Sequence, residues 1–220
     1  MRFDDRQEAG QRLAERLLHL KARRPVVLAL PRGGVSIGFE IARALAAPLD
    51  LVLVRKIGAP HQEELAVGAI ADGGHPELVT DERLIAQLGV SRGYLETAKQ
   101  AALEEIERRR RAYLGEHPPV DLHDRTAVVV DDGIATGATM LAALRATRRR
   151  QPAHLVLAVP VAPPDTLERM RREVDETVCL ATPADFYAVG QFYHRFPQLE
   201  DAEVIALLQQ ARHLTNTQSA

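Results

Sequence analysis

The chain has 220 residues, 46% hydrophobic and 26% charged, with a net charge of −2, which is the make-up of a soluble globular protein able to bury a sizeable core. The near-neutral balance gives no reason to expect general nucleic-acid binding, and no apolar run approaches the ~20 residues of a membrane span. Cys179 is the lone cysteine, which excludes an internal disulfide and a thiolate zinc cluster. The first residues, MRFDDRQEAGQRLAERL, are charged and amphipathic rather than a signal peptide, so the expected location is cytoplasmic.

In chain order, Asp5 caps a predicted helix running to about Leu20, with Leu13, Leu17, Leu18 and Leu20 on its apolar side. Val26–Leu30 is a short strand, Pro31-Arg32-Gly33-Gly34 a turn, and Val35 to Ala46 a helix stopped near Pro48. Leu51–Val54 completes a strand–helix–strand unit. Residues 55–74 read as irregular or hairpin-like, with Gly58, Pro60, Gly68 and Gly73-Gly74 as breakers. Two helices divided near Gly89 fill 81–114; a strand at Val128–Val130 and a helix over 138–148 follow. Strands at Leu155–Val159 and Thr177–Leu180 flank a helix from Pro164, and a last helix spans Asp201 to Leu214. The alternation predicts an α/β fold, a mainly parallel sheet flanked by helices, as one domain over 1–220 with a helical insertion at about 81–116.

Residues 128–139, VVVDDGIATGAT, carry the chemistry. Three β-branched residues form a buried strand, and Asp131 and Asp132 stand at its carboxyl end, where open α/β sheets bind ligands. Gly133 to Thr139 then offer backbone N–H groups and the Thr136 and Thr139 hydroxyls beside a helix N-terminus, a setting suited to a phosphate. The segment is neither a Walker A loop nor a Gly-x-Gly-x-x-Gly dinucleotide turn.

This stretch resembles the phosphoribosyl pyrophosphate (PRPP) motif of type I phosphoribosyltransferases. The resemblance covers about 26–180 and implies a magnesium-dependent transferase. It would move ribose 5-phosphate from PRPP to a nitrogenous base with release of pyrophosphate, as in nucleotide salvage. Asp131 and Asp132 then bind the ribose hydroxyls, directly or around Mg2+. Gly133 and the run Ala135, Thr136, Gly137, Ala138 and Thr139 wrap the 5-phosphate. LPRGGV, residues 30–35, joins a strand end, a cation, two glycines and a helix start, and is similar to the family's pyrophosphate loop. That makes Arg32, Gly33 and Gly34 pyrophosphate contacts. Arg55 and Lys56 occupy the place of the family's mobile loop and would meet the leaving pyrophosphate, whose developing charge needs cations. Ala135 stands where 6-oxopurine enzymes carry a third acid, so the pattern looks more like the adenine and uracil branches. A proton acceptor would come from elsewhere, with Glu63 or Glu64 as the choice.

The acceptor side is thinly marked. Of four tyrosines and five phenylalanines, five lie in DFYAVGQFYHRF, a candidate hood over about 181–200 in which Phe186 or Tyr187 stacks on a base. Core or homodimer packing explains these aromatics equally well, and 81–114 is an alternative source of the hood. Other features have structural explanations. Arg108 to Arg111 follow glutamates at helical spacing, Arg148 to Arg150 sit at a helix C-terminus, and His123 lies in a polar loop. Cys179 reads as packing in a buried strand. No Gly-x-Ser-x-Gly elbow supports a hydrolase. The rival readings are a PRPP-sensing regulator of the same fold without turnover, and a sugar-phosphate enzyme sharing only the anion loop.

Overall fold

In the computed structural model residues 1–72 and 76–218 are described, apart from the side chains of residues 63, 64, 77 and 215–218. Helix α1 (Arg6–Leu17) starts at its predicted cap, the Asp5 carboxylate accepting from the Glu8 N–H at 3.0 Å. It ends three residues before the leucine spacing predicts, because Leu18–Arg23 tightens into a 3-10 segment. Strand β1 (Pro25–Ala29), helix α2 (Gly33–Leu45) and strand β2 (Leu49–Leu51) follow, with β1 and β2 parallel neighbours.

The apolar run expected as one strand over 51–54 is divided between two sheets. Strand β2 ends at Leu51, and β3 (Val54–Ala59) belongs to an antiparallel sheet with β4 (Gln62–Ala71) and β5 (Glu77–Thr80). Asp72 makes the division. Its carboxylate accepts from the Leu53 N–H and its own N–H donates to the Leu53 carbonyl, both at 3.0 Å. Leu53 is thereby tied to the end of β4 instead of continuing the β2 ladder. Helices α3 (Glu82–Leu88) and α4 (Arg92–Leu114) part at Gly89 as expected, capped by Asp81 and Ser91. Most of the arginine run of α4 is a solvated face, where Glu105 takes Arg108 and Arg109 and Glu107 takes Arg111, but Arg110 turns inward to the largely buried Asp72. Hydrogen bonds from Arg108 and then Arg109 hold the Glu105 carboxyl down at about 2.

The chain continues through β6 (Thr126–Val130), α5 (Ala138–Arg149), β7 (His154–Val161), α6 (Pro164–Arg171), β8 (Glu176–Ala181) and α7 (Asp201–Gln218). The main sheet has the order β2-β1-β6-β7-β8, with every pair parallel. Helices α1, α2 and α7 contribute to the core on one face, and α5 and α6 to the core on the other. Central strands covered on both faces read as near-continuous apolar runs, which is why β1 and β6 read PVVLA and TAVVV and are wholly buried, with Thr126 their one polar residue. Each such valine or leucine contributes about 1.5–3 kcal/mol.

Strand β8 lies at the sheet edge and is only half-buried. Cys179 is therefore half-buried rather than in the core as expected, and burial pushes its thiol up, away from the thiolate a nucleophile needs. Among the described residues, no helix is long and apolar enough to cross a membrane.

The sheet order places the site. From β1 the chain crosses through α2 to β2 on one side, and from β6 through α5 to β7 on the other. The loops leaving β1 and β6 diverge at this switch point and open a crevice beyond the strand ends. Leu144 of α5 is fully buried in the core on that face. Replacing it with alanine should lower unfolding stability by about 2–5 kcal/mol in a urea titration.

Candidate functional site

Two strand exits build the site, and they touch. The Leu30 N–H after β1 donates to the Val130 carbonyl of β6 at 3.0 Å. The chain then passes a cis Pro31–Arg32 peptide bond and enters α2 at Gly33. A Cβ on Gly33 would lie 1.9 Å from Asp132 Oδ2, and one on Gly34 would lie 2.9 Å from the Val130 carbonyl oxygen. The family resemblance assigns these glycines to an incoming pyrophosphate. The structure adds an earlier demand, since any side chain at residue 33 would displace the Asp132 carboxylate.

Asp131 and Asp132 stand beside one another after β6. The Asp131 carboxylate accepts from the Asp132 N–H at 2.8 Å. Burial, and next the neighbouring Asp132 charge, push the Asp131 carboxyl well above the usual carboxylate range. Burial also raises Asp132, while Arg6 pulls it back. Arg6 is the cation that meets the pair: its Nε donates to Asp132 Oδ2 at 2.7 Å. The Tyr193 hydroxyl donates to the Asp132 main-chain carbonyl at 2.6 Å. The two carboxylates are hard oxygen donors of the kind a divalent ion such as Mg2+ takes, and among the described residues no third His, Cys, Asp or Glu joins them to complete a metal-ligating group.

The loop after the acids is shaped from outside. Thr166 Oγ1 of α6 donates to the Ala135 carbonyl at 3.0 Å, and Arg169 donates to the Thr136 carbonyl at 2.8 Å. Gly137 caps α5 with φ 84° and ψ −2°, a left-handed conformation that favours glycine. A Cβ there would also meet Thr166 Cγ2 at 2.8 Å. With these carbonyls engaged by α6, the N–H groups of residues 135–139 have no protein acceptor among the described residues. They face outward from a turn at a helix N-terminus, an arrangement suited to an anion. The structure thus brings Arg32, Gly33, Gly34, Asp131, Asp132 and the 133–139 loop to one crevice.

The Arg32 side chain and the remaining expected residues are placed less directly. Arg32 lies 3.8 Å from Asp201 at the start of α7, and Asp201 also accepts from the Tyr113 hydroxyl at 2.6 Å. Arg55 and Lys56 are exposed on β3, inside a regular strand pair rather than at the end of a main-sheet strand. Neither makes an ion pair among the described residues. Phe186 packs on Phe192 with ring centroids 5.1 Å apart, whereas Tyr187 is 89% exposed. Gln191 holds that turn, accepting from the Tyr187 and Ala188 N–H groups. Val189 closes on the motif loop, 2.6 Å from where a Gly133 Cβ would be. The side chains of Glu63 and Glu64 lie outside the described residues.

Arg6 and Tyr193 were missed in the sequence. Arg6 carried one readable signal: it opens a helix, where the dipole disfavours a cation, so its charge needed a partner elsewhere. Tyr193 carried none beyond its aromatic neighbours.

The profile of the phosphoribosyl transferase domain family matches residues 4–197. Proteins of two Mycobacterium tuberculosis strains, CDC 1551 / Oshkosh and H37Rv, provisionally named phosphoribosyl transferases, are 45% identical over 209 residues. The match covers 95% of this chain and 47% of theirs, so the chain spans about half the length of those relatives. The crystal structure of TT1426 from Thermus thermophilus superposes with a TM-score of 0.81 at 43% identity, over 96% of this chain and 99% of that one.

A carboxyl held above its unfolded-state value contributes stability that is full below that unfolded value and lost as pH rises through the folded one. At neutral pH the Asp131 charge therefore weighs against folding. Asp131→Asn should raise the melting temperature, by roughly 2–4 °C for each kcal/mol relieved. Added Mg2+ should stabilise the original protein more than the variant. Scanning calorimetry at pH 7.5, with and without Mg2+, checks both.

Proposed function

The chain belongs to the phosphoribosyl transferase domain family, and from that premise we propose that it transfers ribose 5-phosphate from PRPP to a nitrogenous base, releasing pyrophosphate. The observation that carries the proposal is the contact of Gly33 with Asp132, which makes the LPRGGV loop and the acid pair one site. An anion turn with unpaired N–H groups then lies on the same motif, beside the acids.

In this reading the 5-phosphate takes the N–H groups of residues 135–139 and the hydroxyls of Thr136 and Thr139. Asp131 and Asp132 accept from the ribose 2- and 3-hydroxyls. They would also hold Mg2+, which when bound neutralises diphosphate charge. Arg32 draws the diphosphate to the start of α2. The bond from the anomeric carbon to the diphosphate oxygen breaks with its electron pair, and the acceptor nitrogen supplies the new bond. The sugar becomes oxocarbenium-like in between. Arg55 and Lys56 meet the growing negative charge from the β3–β4 hairpin, and closure over the site keeps water from the sugar. Phe186 or Tyr187 stacks on the acceptor, and the lack of an acid at Ala135 favours a base other than a 6-oxopurine. Glu63 or Glu64 would take a proton where the acceptor releases one.

Pyrophosphate release from PRPP and Mg2+, screened over a panel of nucleobases, tests the reaction. One base should give turnover that disappears in Asp131→Asn/Asp132→Asn. Tight PRPP binding with no turnover on any base would move the protein to a PRPP-sensing role. Unchanged binding in the double variant would sink the site assignment.

A further inference from the structure

Arg6 is a cation in an awkward place. It occupies the first position of α1, against the helix dipole, and is 8% exposed. Desolvating a guanidinium costs several kcal/mol unless its geometry with partners is good. Here three partners surround it. Nε donates to Asp132 Oδ2 at 2.7 Å, Nη1 donates to the Pro197 carbonyl at 2.7 Å, and the guanidinium carbon lies 3.8 Å from the centroid of the Phe196 ring.

Phe196 is stacked on Tyr193 at 4.9 Å, and Tyr193 holds the Asp132 main chain. The two segments that carry these groups are themselves joined. Phe3 pairs with Tyr193 in a parallel bridge, with main-chain hydrogen bonds from Phe3 to Phe192 and from His194 to Phe3 at 2.8 Å. Asp132 is thus gripped by its side chain from α1 and by its main chain from the segment before α7.

We propose that Arg6 is a positioning residue for the donor sugar: it fixes one carboxylate oxygen of Asp132 and leaves the other to the incoming ribose hydroxyl. The inference rests on the PRPP reading of the site. A rigid planar guanidinium fits this task better than a lysine, because its donors are fixed in one plane and it stacks on an aromatic face. Charge-assisted hydrogen bonds of this length are among the stronger ones. Gly33 closes the third side, since nothing larger fits beside the same carboxylate oxygen. The carboxylate therefore cannot swing toward α2, and Arg6 holds it from α1.

The test is PRPP binding with Mg2+, measured by titration calorimetry, for the full chain and for Arg6→Met, Arg6→Lys and Arg195→Met. Arg195 pairs with Asp5 at 2.6 Å across the same two segments without contacting Asp132, so its variant reports the structural cost alone. Arg6→Met should lose roughly 10- to 100-fold in affinity, Arg6→Lys should lose less, and Arg195→Met should bind as the original does. Millimolar guanidinium should restore binding to Arg6→Met and leave Asp132→Asn unchanged, a rescue that a purely structural role would not give. Should Arg6→Met fail to fold, Arg6→Lys carries the comparison. Losses in the Arg6 variants no greater than in Arg195→Met, or no rescue, overturn the inference while leaving the PRPP reading standing. A folded original protein that does not bind PRPP overturns that reading, and this inference with it.

Discussion

Everything at the site depends on two strand exits lying closer together than side chains allow. The loops after β1 and β6 leave adjacent strands and enter helices on opposite faces, so they separate only after passing each other. At the point of passing, residue 33 has no room for a Cβ because the Asp132 carboxylate fills the space. A parallel sheet with this strand order opens a crevice there as a matter of topology. The glycines let the crevice be narrow, and the acids make it negative. Each feature is common by itself. Their superposition is what the proposed function needs: room for a ligand with negative charge at both ends and hydroxyls in the middle.

The acid pair is held at an energetic disadvantage that the rest of the fold supports. Burial raises both carboxyls, the Asp132 charge raises Asp131 further, and Arg6 offsets part of the rise on Asp132. Such stored cost is common where a protein keeps groups ready for a partner that is not part of the chain. The apolar strands β1 and β6, buried throughout, supply the stability against which it is set.

How much of this could be read from the sequence follows from how local each feature is. VVVDDGIATGAT and LPRGGV are strand, turn and helix start within a dozen residues, so their physics is contained in their own letters. The cap at Asp5 and the break at Gly89 were legible for the same reason. The division of the run Leu51–Val54 was not, because it is made by Asp72, some twenty residues later, at the end of a β4 whose existence the run does not encode. The half-burial of Cys179 was equally hidden, since an edge strand and a central one carry the same apolar letters. Arg6 and Asp132 are 126 residues apart, and periodicity has no means of pairing them. The β3–β4 pair was legible as a breaker-rich, irregular or hairpin-like stretch over 55–74, while its register and the third strand β5 were not.

The pairing of Arg32 with Asp201 bears on which anions the crevice accepts. Asp201 is tied in turn to the Tyr113 hydroxyl, so the carboxylate next to Arg32 is anchored by both α4 and α7. An anion reaching Arg32 meets a guanidinium that already has a neighbour of opposite charge, and its gain is the difference between two attractions rather than the whole of one. A monovalent ion gains little from that exchange. A multiply charged group that also reaches the α2 N-terminus gains much more. Under the proposed function, Asp201 is a resident competitor for Arg32 across 3.8 Å, and it tilts the exchange toward multiply charged groups.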